Sequence, residues 1–382
     1  MSSAGGIQLF RLLEDYPASQ LRVVETRRVS GERLACRYDE LATPALRFEQ
    51  SRLFRWKRSL DAIRLVPSAS ISRVDSLLES FRPEVVLCVM QRAASYERAR
   101  EFAHSKGLPL IAIVHDVNDE FESVFPFARV AARRRDRAFY RFASRRLCVS
   151  PEMEELCAAL YGVSGSVLYP NRSEELKPRP FEQTQDLRSP GTLTVGFAGN
   201  LNYGYGDELE RLLIAFRAAR ARLVLFGNPP TAEGTALLDS KDCCEFRGFA
   251  RTPMEAWHAI QTECDAVILP YRNPAGPWER LYSHHFPSKL SEYLVLGMPV
   301  LVTGPDTATG VKWALNHPEA AVACTTLVLN ERTCLLRRLR DDRSWRRALA
   351  EGAYRAGLEE FDPRKTKADF LDHIRAVAVE RA

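Results

Sequence analysis

Five near-continuous apolar runs limit what this chain can fold into. They are EVVLCVM (84–90), LPLIAIV (108–114), TLTVGFA (192–198), AVIL (266–269) and VLVT (300–303). A strand with one wet face alternates apolar and polar residues, whereas a strand covered on both faces does not. The stretches between the runs have helical spacing, as in Ala93 to Lys106, which Gly107 ends, and Asp207 to Arg220. Buried strands alternating with helices predict parallel sheets covered on both faces. Shorter strands are expected at 21–26, 146–149, 167–169, 222–226 and 245–247. Further helices are expected at Ile7 to Asp15, around Arg47 to Arg58, over Ser70 to Phe81, after Ser150-Pro151 and after the capping box Thr252-Pro253-Met254-Glu255. The fold class is therefore α/β, with two doubly wound, Rossmann-like domains facing a cleft.

The stretch 172–190 is polar, carries Pro178, Pro180 and Pro190, and lacks apolar periodicity. It divides the chain into an N-terminal domain, 1–171, this linker, and a C-terminal domain, 191–361. A last helix, 362–382, starts at Asp362-Pro363. At 382 residues the chain can form two full cores. Its 46% hydrophobic and 27% charged composition is that of a globular protein. No apolar run approaches the ~20 residues that span a bilayer, and no basic-then-apolar secretory leader is present. The nine cysteines form no C-x-x-C pair and no cluster at metal-ligand spacing, so reduced thiols in a cytoplasm and no metal centre are expected.

Charge is uneven. Residues 1–150 hold 26 Lys+Arg against 18 Asp+Glu, or +8; the remainder hold 28 against 31, or −3. The excess concentrates in Arg129 to Arg146, with eight arginines and one acid, Asp136, interleaved with Val130, Phe139, Tyr140 and Phe142. A basic amphipathic helix of this kind suits an anionic membrane surface. Arg133, Arg134 and Arg135 are its densest triplet. A solvated helix face is the alternative.

The most informative chemistry lies in YSHHFPSKLSEYLVLGMPVLV (282–302). Pro287-Ser288 reads as a helix start with Ser288 as cap, and Gly297 as its end. Lys289 and Glu292 lie three apart on one face. A lysine in a first helical turn is repelled by the helix dipole unless an anion sits there. Backbone N–H groups and an ammonium suit a phosphate, and a carboxylate one turn deeper can accept from two neighbouring hydroxyls of a ribose. Phosphate plus diol describes a nucleotide. An ordinary solvated Lys–Glu pair is the competing reading.

Taken in order, Gly5-Gly6, His115-Asp116, VSPEM (149–153), YPN (169–171), GFAGNL (196–201) and PSKLSEYLVLGMPVL (287–301) make the chain resemble the GT-B-fold glycosyltransferases of the large, mostly retaining, nucleotide-sugar-dependent group that includes glycosyltransferase family 4. The resemblance covers nearly the whole chain. It implies a C-terminal domain that holds a nucleotide diphosphate sugar as donor substrate, with no separate cofactor, and an N-terminal domain for the acceptor. The last helix would cross back to the N-terminal domain. Glu292 would hold the ribose, and Ser288, Lys289 and Gly199, with Asn200 beside it, would meet the diphosphate. Arg247, Gly248 and Phe249 would flank the base, and His284 and His285 would adjoin the donor. His115, with Asp116 next to it, would contact the transferred sugar as the catalytic pair. Gly5 and Gly6 would let the first helix approach the diphosphate. Asp119, Glu120 and Glu122 would supply a general base if the reaction inverts. The absence of a D-x-D pair fits transfer without a metal. The implied partners are a nucleotide sugar, a glycan or lipid-linked acceptor in surface polysaccharide or glycolipid synthesis, and the inner membrane face, where a cytoplasmic enzyme would dock through 129–146. Nucleic acid is not expected.

Three departures stand out. His284 occupies a position where the family often has a carboxylate. Asn200 and Tyr205 stand where it often has basic residues, which would leave diphosphate charge to Lys289 with Arg272 or Arg280. The chain begins at the Gly-Gly loop, so the first strand of the N-terminal domain is expected to lie upstream. A dinucleotide oxidoreductase fits less well, because Gly204-Tyr205-Gly206 is followed by Leu209 where a third glycine belongs, and Tyr205 also removes a P-loop lysine. A sugar-nucleotide epimerase, or a scaffold that has lost catalysis, is the remaining alternative.

Overall fold

The computed structural model describes residues 4–25, 33–41, 59, 74–78, 80–91, 93–116, 125–181, 191–230 and 234–380. The helix expected around Arg47 to Arg58, residues 70–73 and 79 of that over 70–81, and the acidic residues Asp119, Glu120 and Glu122 lie outside them; residues 74–77 of the second are helical. The chain divides into two compact units, Met1–Tyr169 with Lys365–Ala382, and Pro170–Arg364.

The first unit opens on the helix Ala4–Leu13. Strands β1 (Arg22–Glu25) and β2 (Arg37–Glu40) pair in parallel. Strands β3 (Val86–Val89), β4 (Leu110–Val114), β5 (Arg145–Cys148) and β6 (Ser166–Val167) form a parallel sheet in that order. Every residue of β4 is buried, which is why its sequence carries no polar alternation. Ile111, Ile113 and Leu147 pack with Leu12 of the first helix and with Phe370 and Val377. The last two belong to the C-terminal helix Pro363–Val379, so the end of the chain completes the core of the unit that the chain began.

The basic helix spans Pro126–Phe142. It buries Ala128, Ala132, Asp136, Phe139 and Tyr140 and exposes Phe127, Val130, Arg133, Arg134, Arg137 and Arg141. Its residues do not all face outward. Arg135 turns inward, where its Nε lies 3.3 Å from Glu97 Oε1 and 3.3 Å from the Tyr96 hydroxyl. Asp136 accepts from that hydroxyl inside the unit. The Arg133–Arg135 triplet is therefore split between surface and interior by the 100° turn per residue of a helix.

The second unit is one six-stranded parallel sheet in the order β12-β11-β10-β7-β8-β9. Its strands are β7 (Leu193–Ala198), β8 (Ala221–Phe226), β9 (Cys244–Phe246), β10 (Ala266–Pro270), β11 (Val300–Thr303) and β12 (Ala321–Cys324). The chain winds outward from β7 first to one side and then to the other. Its reversal point lies between β7 and β10, where ligands bind in open α/β sheets. Phe197, Leu209, Phe216, Leu225 and Ile268 are central in its core. Helix starts follow local chemistry. Thr252 accepts from Glu255 N at 3.2 Å, and Ser150, in the first unit, accepts from Met153 N at 3.0 Å.

The helix Ser288–Tyr293 departs from expectation in two ways. Pro287, not Ser288, is its cap residue, and no side chain caps it. Ser288 is its first helical residue, with its carbonyl accepting from the Ser291 hydroxyl at 2.8 Å. The helix stops at Tyr293, and tighter turns carry the chain to Gly297, whose φ of 75° lies in the left-handed region.

Candidate functional site

The carboxyl ends of β7, β8 and β9 carry three glycines side by side. Gly199 follows β7 with φ 150°, Gly227 follows β8 with φ 145°, and Gly248 follows β9 with φ 68°. The Gly199 N–H donates to Phe226 O at 2.8 Å, and the Gly227 N–H to Gly248 O at 2.9 Å. A methyl on Gly227 would fall 1.8 Å from Gly199 O, so the packing of these loops excludes any side chain there.

The helix Ser288–Tyr293 is fixed over this floor. The Tyr293 hydroxyl accepts from Ala198 N at 3.3 Å, tying the helix to the end of β7. Lys289 then runs across Gly199, whose missing side chain leaves the space: an added Cβ would lie 1.9 Å from Lys289 Cε. The ammonium Nζ ends 5.6 Å from the centre of the Phe197 ring and 5.3 Å from that of Tyr205. Both lie within cation–π range. Burial pushes the Lys289 pKa below its ordinary value, and Glu292 pulls it the other way. A second negative group would lower the cost of keeping this charge. Glu292 is buried, 7% exposed, one turn further along. Lys289, Glu292, Gly199 and Ser288 are thus brought to one place at the reversal point of the sheet.

The other candidates in this unit are more distributed. Phe249 is 74% exposed in the loop after Gly248. Arg247 beside it is held by Glu245 at 2.8 Å and Glu263 at 2.9 Å. The Asn200 amide oxygen accepts from Asn202 N at 2.9 Å and so closes its own turn. His284 Nδ1 lies 3.0 Å from the carbonyl of Arg280 and 2.9 Å from Ser283 Oγ. The carbonyl can only accept, so the Arg280 contact needs the proton on Nδ1, whereas the Ser283 hydroxyl can either donate to or accept from that nitrogen. His285 gives its carbonyl to the Thr309 hydroxyl at 2.6 Å. Arg272 pairs with Asp207 at 2.9 Å.

The helix Tyr205–Ala218 offers no anion site at its start. Leu201 O accepts from Gly206 N at 2.8 Å, Asn202 O accepts from Tyr205 N at 3.4 Å, and Asp207 and Glu208 occupy the first turn. Tyr205, where a basic residue is usual in the family resembled, supplies the face on which the Lys289 cation rests. Neither Phe197 nor Tyr205 was legible as a partner of Lys289, because the contact joins positions far apart in sequence. Gly227 was more accessible, being the glycine that directly follows a strand.

In the first unit, Gly5 sits in the opening turn of the helix Ala4–Leu13, against β3 and the end of β4. An added Cβ would lie 2.8 Å from Val89 Cγ1 and 3.3 Å from His115 Cδ2. Gly6 is half-buried beside it, and Asp116, also half-buried, follows His115. His115 is 1% exposed and its Nε2 is hydrogen-bonded to Gln8 Oε1. Gln8 is a residue that sequence reasoning missed. Its one signal was a polar side chain three places after Gly5, on the same helix face.

Comparison with known proteins bears on this geometry. Residues 11–171 match the family described as glycosyl transferase 4-like domain. No curated protein matches the chain in sequence. Among solved structures, Anabaena Alr3699/HepE in complex with UDP and glucose is similar with a TM-score of 0.70 at 14% identity, covering 98% of this chain and 97% of that one. Sucrose-phosphate synthase from Thermosynechococcus elongatus has a TM-score of 0.70 at 13% identity, with 98% and 94% covered. WaaG, a glycosyltransferase involved in lipopolysaccharide biosynthesis, has a TM-score of 0.60 at 14% identity, with 94% of each chain covered. At these identities the likeness is one of fold.

Proposed function

We propose, from the premise that residues 11–171 are a glycosyl transferase 4-like domain on a chain of GT-B glycosyltransferase fold, that this protein moves a sugar from a nucleoside diphosphate sugar to an acceptor hydroxyl. The observation that carries the reading is the Lys289 ammonium laid over Gly199, with Glu292 one turn away, at the reversal point of a parallel sheet. In this reading the second unit binds the donor and the first unit serves the acceptor. Lys289 and the backbone N–H groups of Ser288 and Lys289 meet the diphosphate, Glu292 accepts from the ribose hydroxyls, and the Gly248–Phe249 loop flanks the base.

Glycosyl transfer breaks the bond between the anomeric carbon and the diphosphate oxygen, so negative charge grows on the leaving group. A preorganised cation stabilises that charge without reorganising. Lys289 supplies it here, and transfer without a metal is part of the proposal. HepE was solved with UDP and with UDP-glucose, which makes uridine diphosphate sugars the first donors to try.

For the acceptor we favour a glycan or lipid-linked hydroxyl presented at an anionic membrane surface. The support is the outer face of the helix Pro126–Phe142, where Phe127 is 60% and Val130 51% exposed beside Arg134, Arg137 and Arg141. Among the described residues no helix is long and apolar enough to cross a membrane, so this contact would be peripheral.

A thermal-shift panel with UDP, GDP, ADP and TDP, with NAD as control, tests the donor site on wild type and Glu292→Ala. A shift with one diphosphate that the variant loses supports the reading and fixes the base. No shift with any of them overturns it. A binding scaffold without turnover is the second reading, favoured by Asn200 closing its own turn and Tyr205 replacing a cation. Release of sugar from any nucleotide sugar by the wild type excludes it.

A further inference from the structure

The Lys289 ammonium rests on the Tyr205 ring, and a second tyrosine of the same unit holds that ring in turn. The Tyr282 ring lies nearly parallel to it, at 7°, with centres 6.1 Å apart, and Tyr271 stands edge-on to both, at 5.9 and 4.9 Å. Tyr282 is buried, and its hydroxyl is bonded on both sides. It accepts from the Arg272 N–H at 3.3 Å and donates to the carbonyl of Tyr203. A carbonyl only accepts, so the one phenolic proton is committed to Tyr203. Burial holds the Tyr282 pKa well above its ordinary value, so the proton stays in place into alkaline pH. Tyr203 has φ 61°, and Gly204, the cap residue of the helix Tyr205–Ala218, has φ 80°. These two left-handed residues make the turn that delivers Tyr205. A residue with a side chain is disfavoured at such a φ and persists there only where its surroundings hold it. The turn is tightly held: a Cβ added to Gly204 would lie 2.7 Å from the Tyr282 hydroxyl oxygen and 2.9 Å from Arg272 Cβ.

We propose that Tyr282 is a positioning residue for the Lys289 cation: its hydroxyl pins the Tyr203–Gly204 turn, and the turn fixes the Tyr205 ring on which the ammonium rests. The proposal rests on the glycosyltransferase reading only for the diphosphate that this cation meets. Every residue in it belongs to the second unit. A packing role alone would leave the hydroxyl without consequence for Lys289, since phenylalanine fills the same space.

UDP is the probe, titrated calorimetrically against the full chain and against Tyr282→Phe, which keeps the ring and removes only the hydroxyl. Thermal denaturation sets a temperature at which every variant is folded. Tyr282→Phe should bind UDP about three- to tenfold more weakly, the worth of one neutral hydrogen bond. In a Lys289→Met background the same substitution should change affinity by less than about twofold, because its effect passes through the cation. A penalty as large in that background as in the wild type overturns the proposal, and so does wild-type affinity in Tyr282→Phe. The ligand-free protein gives a second readout. The carbon-13 signal of Lys289 Cε, assigned by its loss in Lys289→Met, reports the pH at which the amine gives up its proton. Tyr205→Leu should lower that midpoint by roughly half a pH unit, since a ring face favours the charged form, and Tyr282→Phe should move it in the same direction. If UDP does not bind the wild type, the donor reading falls, while the midpoint still decides the role of Tyr282: no movement in Tyr282→Phe overturns the proposal.

Discussion

Lys289 crosses Gly199 so closely that a methyl group on the glycine would stand 1.9 Å from Lys289 Cε. The glycine is needed twice, once for that passage and once for its φ of 150°. Gly199→Ala should therefore both strain the backbone, by about 1–3 kcal/mol, and displace the ammonium. The expected outcome is a lower melting temperature together with a loss of nucleoside diphosphate affinity matching that of Lys289→Met. Calorimetric titration of both variants checks this. A Gly199→Ala protein that binds as the wild type does would refute the arrangement.

Glu292→Ala should weaken nucleoside diphosphate binding by about one to two decades, since a hydrogen bond to a charged group is worth about 1.5–3 kcal/mol. The corresponding 2′,3′-dideoxy nucleotide should bind both proteins equally, because it lacks the hydroxyls that Glu292 accepts from. Unequal binding of the dideoxy ligand would move Glu292 off the ribose.

Burial sets the Lys289 pKa below its ordinary value of 10.5. The charged form is the one that binds a diphosphate, so affinity holds while Lys289 is protonated. It falls as pH rises through the pKa of the free protein, and that fall should begin below the ordinary lysine range. In the free protein the sign for stability is opposite. The unfolded chain holds this proton more tightly, so the Lys289 contribution makes the fold more stable as pH climbs from the lowered pKa toward 10.5. Titrations across alkaline pH on wild type and Lys289→Met separate the two effects, and the variant should lose both slopes.

Replacing Arg134, Arg137 and Arg141 together by glutamine should reduce flotation with anionic liposomes by on the order of a hundredfold, at about 1 kcal/mol per arginine. Arg135→Gln should behave differently. Its partners are Glu97 and Tyr96, so it should lower thermal stability and leave flotation nearly unchanged. Equal recovery of the triple variant and the wild type would remove the membrane contact.

Glu208 is fully buried and pairs with Arg332 at 2.8 Å, while its second oxygen accepts from Asn273 N at 3.1 Å. Burial raises the Glu208 pKa even with that arginine present. Arg332→Met leaves the carboxylate alone and should cost about 3–5 kcal/mol of stability. Adding Glu208→Gln should recover part of it, because the amide oxygen still serves Asn273. Denaturant midpoints of the single and double variants measure the difference.

The sequence by itself determined the architecture. Runs such as LPLIAIV could only be strands covered on both faces, and Thr252 and Ser150 cap their helices with the local hydrogen bonds their side chains allow. It also brought forward Lys289 and Glu292, because their spacing is a property of one helix turn. What only the tertiary structure decided is what those residues touch. The Lys289 ammonium rests on Phe197 and Tyr205, and the Gln8 amide joins His115 to carbonyls some 160 residues away in the chain. The Arg133–Arg135 triplet is divided between solvent and core. Ser288 is not the helix cap, since the closer turn places Pro287 there. Periodicity and capping are short-range and can be read from neighbours in sequence. The partners of a buried histidine and the surroundings of a half-buried lysine come from contacts between distant segments, which no local pattern contains.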